Sequence, residues 1–165
     1  MAGNAFLTFF DKADGESTVK GKERWVELTQ WDWEIDAESS WTNGGGASVG
    51  KPSPGKFMWN HSFDLSSPVI MGYICTGKAF PKVELQMLRT MGTGQPENYF
   101  TMTMEGAFIT KVSTSGGIDG AIVQGVEMVY KTVRIDYRPQ DSTGRASAIT
   151  TFQWDIPAGT ASPSA

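Results

Sequence analysis

Hydrophobic and polar positions alternate in short runs along this chain. Ala5 to Asp11 reads as a first strand, ended by the turn-rich Asp14-Gly15-Glu16-Ser17. Trp25 to Ala37 reads as a second, longer strand. Trp31, Trp33, Ile35 and Ala37 share one face, and Asp32, Glu34, Asp36 and Glu38 the other. That is the period of a half-buried strand. Further strands are expected over Phe57 to Asp64, Lys82 to Arg89, Val126 to Arg138 and Ala148 to Ile156, with one or two more in Tyr99 to Ser115. Val126, Met128 and Tyr130 share one parity; Val133, Ile135 and Tyr137 share the other. A one-residue bulge near Lys131 would keep both sets on the core. Gly106 is expected at a bulge or kink.

Two stretches break the alternation. Ser39 to Lys56 has neither period and contains Asn43-Gly44-Gly45-Gly46 and Lys51-Pro52-Ser53-Pro54-Gly55. It reads as a long extended loop and as the first candidate for an interaction element. Ser67 and Pro68 read as the N-cap and first position of a helix that runs to Thr76 and stops at Gly77. This helix is apolar nearly all round, so burial at a barrel end or under a loop is expected. Seven or eight short strands with one helix predict a mainly β fold, an antiparallel barrel or sandwich. The 165 residues suit one domain, expected over residues 1–157, with a small, polar, disordered tail over 158–165.

Composition narrows the chemistry. Six Trp, nine Phe and four Tyr concentrate the apolar area in bulky side chains. The net charge of -4 and the lack of a Lys/Arg cluster argue against a nucleic-acid partner. Cys75 is the single cysteine, so no intrachain disulfide can form. Met1 to Phe6 carries no basic segment or long apolar run, so neither a cleavable signal peptide nor membrane insertion is expected.

No constellation points to catalysis, a cofactor or a metal. Gly45 to Pro52 approaches a phosphate-loop pattern, but Pro52 stands where the magnesium-binding hydroxyl belongs. His61 is the single histidine, which excludes a multi-His metal site. Asp32, Glu34, Asp36 and Glu38 read as a solvated face or as an acidic patch for a basic surface. Lys131, Arg134 and Arg138 of a neighbouring copy could supply that surface, and two unlike patches that meet head-to-tail make a ring if the rotation closes. The alternatives are a carbohydrate-binding β-sandwich that stacks sugars on Trp, and an enzyme with an acid/base pair on the acidic strand.

The order of segments resembles the haemolysin-coregulated protein (Hcp) family, the inner-tube subunit of type VI secretion systems. The resemblance is carried by Gly15-Glu16-Ser17, Gln30-Trp31-Asp32-Trp33, Asn43 to Gly50, Phe63 to Pro68 and Thr76 to Pro81. Late in the chain Val133 to Gln140 and Trp154-Asp155-Ile156 complete it, while Gln153 and Pro157-Ala158-Gly159 depart from the pattern. It implies a small antiparallel β-barrel with one short flanking α-helix, assembled as homohexameric rings that stack into a hollow tube. It implies as partners the sheath that expels the tube, the spike at its tip and small effectors in its lumen. It also implies a cytoplasmic protein before firing and a secreted one after. A contact between subunits or rings is implied for the long loop, here Asn43, Gly44, Gly45, Gly46, Ser48, Val49, Lys51 and Lys56.

Overall fold

The computed structural model describes residues 4–42, 46–90 and 94–162. Its eleven described strands are β1 (Ala5–Thr8), β2 (Val26–Asp32), β3 (Ile35–Thr42), β4 (Gly46–Pro54), β5 (Phe57–Ser62), β6 (Ala79–Thr90), β7 (Pro96–Gly116), β8 (Ile122–Val129), β9 (Thr132–Tyr137), β10 (Thr150–Asp155) and β11 (Thr160–Ser162). The helix α1 spans Ser66–Thr76. Strands β6, β1, β2, β5, β8 and β7 pair in that order, and β7 closes on β6 as a six-stranded barrel. Strands β9, β10 and β11 extend the sheet from β7, and β3 with β4 forms a separate two-stranded ribbon.

Alternation fills the barrel. Leu7, Val26, Phe57, Trp59, Val83, Leu85, Met102 and Met128 all turn inward and are buried. Aromatic rings form the centre: Phe9 packs on Phe80 at 4.5 Å between centroids, and Trp59 on Phe57 at 5.7 Å. Trp31 stacks on both Phe57 and Phe100. Such tilted and offset pairs add to plain area burial.

The predicted strand over Trp25 to Ala37 is two strands. It breaks at Trp33-Glu34, and the second half leaves the barrel for the ribbon. Trp31 and Trp33 do pack against the core, but Ile35 and Ala37 are exposed. Period two survives the break, so alternation alone could not show it. Ser39 to Lys56 is likewise no unpatterned loop, because most of it is the hairpin of β3 and β4. Its polar and Gly/Pro-rich strands have no core to face, so they lack the expected stripe.

The parity change at Lys131 arises without a bulge in the pairing. Glu105 opposes Thr132 and Phe108 opposes Val129, so the register is constant across the break. Both strands change facing together: buried positions pass from Met104 to Ala107 and from Tyr130 to Val133. Gly106 takes φ +60° there, and the Lys131 side chain lies over the space a Cβ would need. Glycine is the residue that tolerates this conformation without a Cβ clash.

The helix also differs from expectation. Leu65, not Ser67, is the N-cap, and the Asp64 carboxylate accepts from the Ser66 N–H at 2.9 Å. Ser67 turns back instead and accepts from the Asp64 N–H at 3.0 Å. Gly77 ends α1 in the left-handed region at φ +67°, as its position predicts. Burial is one-sided: Ser66, Ser67 and Ile70 are buried, while Gly72 and Cys75 are exposed. One face of the helix packs on the core through Ile70, Val69, Tyr73 and Ile74, and the other stays wet. Thr160–Ser162, inside the segment expected as a disordered tail, form β11 on β10.

Candidate functional site

The ribbon is built to project. It leaves the barrel after Asp32 and returns at Phe57, and its base is closed by Gly55 N–H donating to the Glu34 carbonyl at 2.9 Å. Tyr130 braces that base, accepting from the Trp33 indole and donating to the Gly55 carbonyl. Burial raises the Tyr130 pKa, and the Trp33 hydrogen bond opposes this, so the hydroxyl stays a donor at neutral pH. A Cβ on Gly55 would overlap the Glu34 carbonyl, which makes glycine a steric requirement there.

The candidate loop residues fall as follows. Gly46, Ser48, Val49 and Lys51 lie on β4, whereas Asn43, Gly44 and Gly45 lie outside the described residues. Gly46 to Pro52, most of the stretch that approaches a phosphate loop, is thus extended ribbon strand. Lys56 sits at the base and pairs with Glu127 at 3.3 Å.

The acidic set is divided between elements. Asp32 ends β2, Glu34 lies in the link, and Asp36 and Glu38 are on β3; all four are exposed. They are therefore not one face of one strand. Of the basic set, Arg134 pairs with Asp136 on its own strand at 3.0 Å. Partial burial pushes the Asp136 carboxyl up, but hydrogen bonds from Arg134 and Thr151 outweigh this and hold it below its ordinary value. Lys131 packs over Gly106, and Arg138 lines a shallow cleft with Tyr99 and Ile149. No described ion pair joins the acidic set to the basic one within a chain.

A second surface was not foreseen. The outward face of β6, β7, β9, β10 and β11 forms a polar groove of about 650 Å³. Register places Glu84, Thr103, Arg134, Gln153 and Ser162 in one row across the five strands. A parallel row runs Lys82, Glu105, Thr132, Asp155 and Thr160. Alternation in each strand hinted at this face, but joining the rows required the strand order.

His61 is structural. It is fully buried, its Nδ1 accepts from the Trp59 indole N–H at 3.0 Å, and its Nε2 lies 3.1 Å from Ser67 Oγ. The indole bond requires a bare Nδ1, so the ring is the neutral Nε2–H tautomer. Burial lowers its pKa, and Asp64 at 3.9 Å pulls only weakly the other way. The unfolded ring titrates near 6.5, so below that pH the unfolded state takes up a proton that the folded state refuses. Stability from this site is complete above about pH 6.5 and is lost as pH falls toward the folded pKa. Melting curves from pH 7.5 to 5 will show a decline that flattens in His61→Gln, whose amide can accept and donate at the same two places. Equal slopes for both proteins count against it.

None of the five tryptophans whose side chains are described offers the sugar-stacking alternative an exposed platform. Trp25, Trp31 and Trp33 are half-buried and Trp59 and Trp154 buried, and the sheet closes as a barrel rather than a sandwich.

Residues 6–137 match the family model described as type VI secretion system effector, Hcp. The chain is 27% identical to Protein hcp1 of Pseudomonas aeruginosa over 158 residues, which cover 94% of this chain and 96% of that protein. Among solved structures, Hcp1 from Salmonella typhimurium superposes with a TM-score of 0.78 at 29% identity, covering 98% of this chain and 99% of that one. A structure described as a type six secretion system protein gives a TM-score of 0.87 at 22% identity over 97% and 99% of the two chains, a likeness of fold.

Proposed function

We propose a tube-subunit role from the premise that this chain belongs to the Hcp family of type VI secretion proteins. Six copies close into a ring, rings stack into a hollow tube, and a contractile sheath expels the tube behind its spike. The observation that carries this reading is a barrel complete in itself with a ribbon standing off it. Among the described residues the core lies within the barrel and its flanking elements, and no described ribbon residue belongs to it. A two-stranded hairpin alone is marginal in water, so an exposed one retained on a finished barrel is best explained by a contact it makes elsewhere.

The polar groove suits a lumen wall. Its rows of Thr, Ser, Gln and mixed charges offer no large exposed apolar side chain to hold a cargo irreversibly. Small effectors would pass or ride against it through exchangeable polar contacts. The acidic Asp36 and Glu38 of one copy, and the cationic Lys131 and Arg138 of another, supply complementary charge between subunits. The chain waits in the cytoplasm and leaves the cell with the fired tube.

Light scattering on purified protein tests the ring. The expected particle has six times the 18.0 kDa mass of the chain. A particle that stays monomeric at every concentration overturns the reading.

A further inference from the structure

His61 ties three strands to the start of α1. It lies on β5, and Leu28 of β2 and Gln124 of β8 oppose it in register. Its Nε2–H donates to Ser67 Oγ on α1 at 3.1 Å. Ser67 Oγ in turn donates to Asp64 Oδ1 at 3.4 Å and accepts from the Asp64 N–H at 3.0 Å. The same Asp64 oxygen accepts from the Ser66 N–H and hydroxyl. One chain of hydrogen bonds thus runs from the buried ring to the first residues of the helix.

Gln124 stands beside this chain with half its amide used. It is fully buried, and its Nε2 donates to the Ser67 carbonyl at 3.4 Å. Its Oε1 is buried without a partner among the described residues. An unused buried acceptor is costly, and it points to a second state in which it is used. Side chains directly opposed on antiparallel strands are neighbours, so the His61 ring is within reach.

The charged groups around the ring are carboxylates on its wet side. Asp64 lies 3.9 Å from Nε2 with its side chain 9% exposed. Glu16 of the β1–β2 link and Glu27 of β2 share with Asp64 a cleft of about 350 Å³ outside it. The helix α1 carries no charged residue, and Trp59, Leu28 and Gln124 beside the ring are neutral.

The neutral ring cannot take a second proton where it stands. Nε2 already carries one, and the Nδ1 lone pair accepts from the Trp59 indole at 3.0 Å. A proton on Nδ1 would set donor against donor. Trp59 is fixed between Phe9 and Phe57, so the ring is the part that moves. Its other anchor, Ser67, belongs to a helix with one wet face.

We propose that His61, Asp64 and Gln124 form an acid-operated joint between α1 and the barrel. In the neutral state the ring bonds Trp59 and Ser67. When it takes one proton from water it leaves both, and its two N–H groups pass to the Asp64 carboxylate and to Gln124 Oε1. Ser67 loses its tie to the ring, and Asp64 shifts from Ser66 toward the imidazolium. The start of α1 then opens while the barrel stays closed. Burial disfavours the charged ring, so the joint works below the ordinary imidazole range. It needs one folded subunit only and does not depend on the tube reading.

Hydrogen exchange on the full chain, with rates corrected for the intrinsic effect of pH on amides, tests this. From pH 7.5 to 5, peptides that cover α1 will speed up about tenfold relative to peptides that cover β6. His61→Gln will abolish the difference. Gln124→Met removes the spare acceptor and will lower the midpoint of opening by about one pH unit, a tenfold loss in proton affinity. Asp64→Asn can still accept from Ser66, and it will lower the midpoint too. Equal acceleration of α1 and β6 overturns the joint in favour of whole-domain unfolding. So does exchange in α1 that ignores pH. An unchanged midpoint in both Gln124→Met and Asp64→Asn overturns the exchange of partners.

Discussion

A chain whose residues 35–54 are replaced by an Asn-Gly turn will keep its barrel and lose its tubes. The cut is clean because the base of the ribbon is already closed, with Gly55 N–H bonded to the Glu34 carbonyl at 2.9 Å. Asn-Gly is the turn that matches the twist of flanking strands over so short a span. Trp33 stays in place and keeps its bond to Tyr130. The core cluster contains no described residue between Leu28 and Phe57, and the flanking Trp31 and Trp33 are retained, so the described buried apolar area of the barrel is unchanged. The melting temperature of the truncated monomer will therefore stay within roughly 4 °C of a monomeric control, a shift of about 1–2 kcal/mol at this size. Electron micrographs will show rings or single particles and no tubes. Tubes of normal length from the truncated chain sink the assembly role of the ribbon. A chain that fails to fold would contradict the separation of ribbon from core.

The sequence was legible where one face of a strand meets the barrel interior. Val83 and Leu85, Met102 and Met104, and Val126 and Met128 all alternate, and all are buried. The left-handed Gly77 and the kink at Gly106 were legible for a local reason, since each needs a glycine. The ribbon was not, because its described residues have no core beneath them to set a stripe. Ile35 and Ala37 continue the parity of Trp31 and Trp33, yet the first pair faces water and the second the core. A pattern records which residues share a face, not what covers it. The break between them is set by Gly55, Glu34 and Tyr130, which meet from distant parts of the chain. Long-range register likewise decides the polar groove. Thr103 and Arg134 are thirty-one positions apart in the chain and direct neighbours in the sheet. The acidic set misled for the same reason: equal spacing in sequence became three different settings once the strand broke at Glu34.

Replacement of Trp59 by Ala will cost the barrel more than any other single change considered. Trp59 is 2% exposed and lies between Phe9 and Phe57, at 6.1 and 5.7 Å between ring centroids. Truncation of a buried Trp to Ala typically costs about 3–5 kcal/mol, because the surrounding rings are held by the closed sheet and cannot collapse into the space. A second cost follows from the indole N–H. Its loss leaves His61 Nδ1 buried without a donor, and an orphaned buried acceptor costs about 1–3 kcal/mol. Set against a whole-domain stability of about 5–15 kcal/mol, the sum brings the fold close to its limit. The melting temperature will fall by roughly 10–20 °C. Trp59→Phe separates the two costs, since it retains most of the packing and removes only the donor; its loss will be about 1–3 kcal/mol. Both variants belong in the ribbon-less background, because assembly stabilises the folded subunit by mass action and would mask the change. A loss below about 1 kcal/mol for Trp59→Ala would show that the ring stack is not the centre of the core. Equal losses for Ala and Phe would place the whole effect in the Trp59–His61 hydrogen bond and none in the packing.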